Sequence, residues 1–92
     1  MSQTAEEKRM DRAKRAAEKD LADMGYGVVR SDNEKACLVG FSSTNVRVVR
    51  IVLDSPSQGD QKALRSIEAP PSCTRELWIR RSGSRDFDKH KI

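Results

Sequence analysis

The chain has 92 residues and a formal net charge of +4, from 18 basic and 14 acidic side chains; 35% of its residues are charged and only 4% aromatic. That length sets one domain, residues 1–92 with frayed termini, and a chain this short buries only about 60% of its unfolded surface. No apolar run approaches the ~20 residues of a membrane span and no apolar signal segment opens the chain, so a cytoplasmic location with Cys37 and Cys73 reduced is expected. With no CxxC pair, and with the single His90 near the C-terminus, the spacing supports no metal site, and no cofactor is expected.

Thr4 followed by Glu7 fits a capping box and starts a helix over Ala5–Met24, which Gly25 ends in a left-handed conformation. Met10, Ala13, Ala17, Leu21 and Met24 share one face of it. Lys8, Arg12, Arg15 and Lys19 share the opposite face, either as a stripe for a phosphate backbone or as a solvated surface aided by Asp11, Glu18 and Asp23. A short strand follows over Tyr26–Arg30, with a turn at Ser31, Asp32 and Asn33. A second strand covers Ala36–Phe41 and leads through Ser42–Asn45 into a hairpin.

Val46–Asp54 is the longest β-branched run and reads as a central strand buried on both faces. Its Arg47 and Arg50, three apart, face opposite sides of the sheet. Pro56 stops the strand. Asp60 is expected to cap a short helix to Glu68 that buries Ala63, Leu64 and Ile67, before Pro70 and Pro71 end it. Glu76–Arg81 is a fourth strand, Ser82-Gly83-Ser84 a turn, and Asp86–Ile92 a last strand forming a hairpin with it. The last hairpin is basic through Arg75, Arg80, Arg81, Arg85, Lys89 and Lys91, which reads chiefly as a solvated surface. The core falls to Phe41, Leu53, Leu64, Ile67, Leu77, Trp78, Ile79 and Phe87, with Cys37 a small buried hydrophobe. The fold class is α/β (α+β), a mixed central sheet in the order α-β-β-β-α-β-β, with the long helix on one face and the short helix on the other.

This order, with LADMGYGVVRS leading into ACLVG and a later CTRELWI, resembles the PD-(D/E)XK nuclease superfamily over roughly Arg15 to Trp78, with its small archaeal Holliday-junction-resolvase-like and phage members the nearest in pattern. The resemblance implies a restriction-endonuclease-like minimal core and a nucleic-acid groove. It implies an aspartate before a Leu-Val pair on the second strand, where this chain has Cys37 before Leu38-Val39. It implies Glu-x-Lys or Gln-x-Lys on the third strand, where Ile51-Val52-Leu53-Asp54 stands, and a glutamate on the first helix, where Lys14 stands. Those nucleases hold Mg²⁺ through carboxylate oxygens, and a thiol is a poor ligand for so hard an ion. The leading expectation is therefore a non-catalytic nucleic-acid-binding protein of a phage or mobile element. Its partner is DNA, bound through phosphate contacts, and the chain is a monomer or homodimer. Lys8, Arg12, Arg15 and Lys19 are the candidate contacts on the helix, and Arg30, Ser31 and Lys35 those beside the groove that the resemblance implies. The first alternative is a protein–protein interaction module, a subunit or an inhibitor. The second is an active metal-dependent nuclease whose site has migrated to Asp54, Asp32 or Glu34.

Overall fold

The computed structural model describes residues 4–31 and 36–92. Helix α1 spans Ala5–Asp23 and helix α2 Gln58–Arg65; the strands are β1 Gly27–Arg30, β2 Leu38–Phe41, β3 Val46–Leu53, β4 Cys73–Arg80 and β5 Phe87–Lys91. They form one five-stranded mixed sheet in the order β1-β2-β3-β4-β5. Three neighbouring pairs are antiparallel, and β3 and β4 are parallel, joined through α2. This is the expected α+β order, with β3 at the centre.

The ends of α1 follow from its sequence. Thr4 Oγ1 accepts a hydrogen bond from the Glu7 N–H at 3.1 Å. At the other end Gly25 has φ +92°. The Gly25 N–H then donates to the Ala22 carbonyl and the Tyr26 N–H to the Leu21 carbonyl, each at 3.0 Å, which is a Schellman closure. Ala13, Ala17 and Leu21 are buried against the sheet with Leu38, Val49, Ile51, Trp78 and Phe87. Trp78 is fully buried, so its truncation to Ala should cost about 3–5 kcal/mol. Leu64 of α2 lies on the opposite face with Val48, Leu77, Ile79 and Ala36. Alternation along β3 thus sends Val49 and Ile51 to the α1 face and Val48 and Val52 to the α2 face.

Several local expectations are corrected. Ser57, not Asp60, caps α2. The Ser57 hydroxyl accepts from the Asp60 N–H at 3.3 Å while the Asp60 carboxylate accepts from the Ser57 N–H at 2.8 Å, so Asp60 is the reciprocal third-position member of a capping box. The helix stops at Arg65 rather than Glu68, where the Ser66 hydroxyl donates back to the Ala63 carbonyl at 2.7 Å. Strand β4 begins at Cys73, three residues early, because it pairs with β3 along that strand's whole length, from Val46↔Cys73 to Leu53↔Arg80.

Phe41 is no core residue: it is 47% exposed, and Val29 is 54% exposed. By strand alternation both belong to the α2 face, but α2 has only eight residues and lies over β3 and β4. Among the described residues, no helix lies above the β1–β2 end of that face. The turn expected at Ser31, Asp32 and Asn33 falls partly outside the described residues. No helix among the described residues is long and apolar enough to cross a membrane.

Candidate anion site

Two arginines, one at each end, lie on the α1 face of the sheet. Arg47, near the start of β3, donates to Glu76 Oε1 at 3.2 Å and to the Tyr26 hydroxyl at 2.9 Å. Glu76 is buried and also accepts from the Thr74 hydroxyl at 3.0 Å and the Trp78 indole N–H at 3.2 Å. The Tyr26 hydroxyl in turn donates to Asn45 Oδ1 at 2.9 Å. The Arg47 hydrogen bond holds the Tyr26 phenol below its ordinary pKa; burial works the other way and is outweighed. This network is closed on itself, and every group in it has protein partners.

Arg80 ends β4 at the other end of the sheet. Its guanidinium carbon sits 5.1 Å from the centre of the Phe87 ring, and its Nη1 is buried with no hydrogen-bond partner among the described residues. Beside it is an open-mouthed cavity of about 280 Å³, lined by Arg9 and Arg12 from α1, by Leu53, and by Arg80, Arg81 and the Ser82–Ser84 turn. The cavity lies where the carboxyl ends of the parallel pair β3–β4 leave the sheet, the place where open α/β sheets ordinarily receive ligands. Its rim is set by a tight turn. The Ser84 N–H donates to the Arg81 carbonyl at 3.1 Å and Gly83 has φ +80°, the pattern of a type II turn with glycine at its third position.

Asp54 organises the rest. It leaves β3 with φ +68°, a left-handed conformation that aspartate tolerates better than most residues. Its carboxylate takes a two-point fork from Arg9, both contacts at 3.2 Å, and the Ser82 N–H at 2.9 Å. Its carbonyl accepts from Arg81 at 3.0 Å. The Arg9 hydrogen bond, seconded by the Ser82 N–H, holds the Asp54 carboxyl below the usual aspartate range and raises Arg9 in return. Arg81 also donates to Asp88 at 2.9 Å. Arg12 makes no ion pair among the described residues.

The candidates singled out in sequence scatter around this cavity. Arg12 lines it. Lys8, Arg15 and Lys19 are exposed along α1. Arg15 is tied to Asp11 at 3.2 Å. Arg30 is held by Glu18 and by Asp11, and those hydrogen bonds, Glu18 first, raise its pKa further. The Ser31 N–H donates to the Cys37 carbonyl at 2.9 Å. Lys35, Asp32 and Glu34 lie outside the described residues.

Arg9 escaped the sequence reading, which took Arg80 and Arg81 chiefly for solvated surface. The available signal was the Arg-Arg pair directly before Ser-Gly-Ser, at the close of an apolar strand. Of the positions where the resembled nucleases carry their chemistry, Cys37 and Leu53 both pack against the α1-side core, and Val52 against the other. Among the described residues no group of three or more His, Cys, Asp or Glu comes together as a metal site. Comparison of the chain with protein-family models, curated proteins and solved structures finds no match.

Proposed function

We propose that this protein binds nucleic acid through phosphate and does not cleave it. The observation that carries the reading is an open cavity lined by four arginines, Arg9, Arg12, Arg80 and Arg81, with no carboxylate in its lining among the described residues. A phosphate entering it gains charge-assisted hydrogen bonds from planar guanidinium forks. The exposed Lys8, Arg15 and Lys19 on the same helix extend the positive surface for neighbouring phosphates. Cleavage is not part of the proposal, because the nearest carboxylate, Asp54, is committed to Arg9 and to the Ser82 amide.

Fluorescence anisotropy with a labelled oligonucleotide tests it. Three phosphates neutralised predict a salt slope near −3 and a loss of roughly fortyfold in affinity between about 50 and 200 mM salt. No binding of single-stranded, duplex or branched DNA at low salt removes the proposal.

A second reading, a protein–protein module, is favoured by the exposed Val29 and Phe41 on the uncovered β1–β2 end of the sheet. It predicts association of the protein in light scattering that Val29→Lys abolishes.

A further inference from the structure

We infer that the arginine cavity seats a phosphomonoester, the phosphate at the end of a nucleic-acid strand, in preference to a phosphodiester within the strand; the inference rests on the nucleic-acid reading above. Three observations lead to it.

The first is surround. The open-mouthed cavity is bordered by Arg9 and Arg12 from α1 and by Arg80, Arg81 and the Ser82–Ser84 turn. A ligand that offers acceptors on several sides matches it best. An internal phosphodiester has a sugar on either side of phosphorus and can offer only its two outer oxygens across a surface. A terminal phosphate stands on a single ester stem and presents three free oxygens head first.

The second is charge. Arg9, Arg12, Arg80 and Arg81 bring four positive charges to the site. Asp54 and Asp88 return two of them. The remainder matches a terminal phosphate, which carries about −1.5 to −2 near neutral pH, better than a diester, which carries a single charge. The third is size. About 280 Å³ lies at the lower end of ordinary ligand pockets and suits one phosphate head with part of its sugar.

The test compares one oligonucleotide in three forms, with a 5′-phosphate, with a 3′-phosphate and with hydroxyl at both ends. A phosphorylated end should bind about tenfold tighter than the hydroxyl form, the loss expected for one charge-assisted contact set. Arg80→Gln should weaken binding of every form and abolish that preference, so that the phosphorylated and hydroxyl forms bind the variant equally. Should that variant fail to fold, the wild-type protein still decides the matter. Inorganic phosphate at constant ionic strength should bring the phosphorylated forms down to the affinity of the hydroxyl form, weakening the latter less. Equal affinity for all three forms overturns this inference and leaves the nucleic-acid reading standing. Absence of binding to every form overturns both. A phosphoserine peptide bound as tightly as the phosphorylated strand end overturns the assignment of the monoester to nucleic acid.

Discussion

Arg47 and Arg80 share a face of one sheet, and each lies near an aromatic ring, Arg47 5.0 Å from Tyr26 and Arg80 5.1 Å from Phe87. They differ in what the chain supplies to their donors. Arg47 meets a buried carboxylate and a phenol. Arg80 makes no ion pair among the described residues and lines an open cavity. A cation tied to a buried carboxylate belongs to the framework. One that borders a cavity without a carboxylate of its own has charge left for a ligand. The difference separates a structural arginine from a binding one where burial alone would not.

The largest test breaks the framework end. Glu76→Ala leaves the half-buried Arg47 with Tyr26 alone and the buried Trp78 indole N–H without its acceptor, and should cost about 3–5 kcal/mol in urea unfolding. The same measurement on Arg80→Leu should give no loss, or a gain of up to about 1 kcal/mol, because an unmatched donor disappears while a cation–π contact is lost with it. Equal destabilisation by both substitutions would erase the distinction.

Asp54→Asn removes the carboxylate that competes with an incoming phosphate, and should raise oligonucleotide affinity about threefold. The same carboxylate gives a pH test. Its native pKa is depressed, so its contribution to stability is complete above the unfolded aspartate value of about 4 and is lost as the pH falls through the lower native value. The wild type should lose stability on acidification below about pH 4, and Asp54→Asn should lack that part of the loss. The smallest effect is expected from Arg15→Ala. Arg15 is exposed and already paired with Asp11, so stability should change by no more than about 0.5 kcal/mol and affinity by less than about twofold.

The sheet order was legible in sequence because β3 carries an uninterrupted β-branched run and α1 has recognisable caps. The first turn of β4 was not. Cys73, Thr74 and Arg75 look like loop, and only pairing along the full length of β3 makes them strand. Phe41 misled for a related reason. Its hydrophobicity is plain, but its burial depends on how far α2 reaches, which no local pattern encodes. The basic stripe on α1 is exposed, but of its four residues only Arg12 lines the cavity. Charges paired across the fold, Arg30 with Glu18 and Asp11, look the same in one dimension as Arg12, which makes no ion pair among the described residues. The cavity is assembled from residues 9, 12, 53 and 80–84, and a chain that brings its helix start to its last turn leaves no spacing from which to infer it.

The sheet ends on two unlike borders. On β5, Asp88, Lys89, His90 and Lys91 are all exposed, so another strand approaching there must strip water from a row of charge. On β1, Val28 and Val29 precede a single Arg30 already engaged with α1. The molecule thus has a guarded border and an unguarded one. Growth of a sheet through many copies needs two open borders, whereas this chain offers one. Two copies meeting there would use up both of their free borders in a closed two-fold pair, so crowding should carry the protein to a dimer and no further.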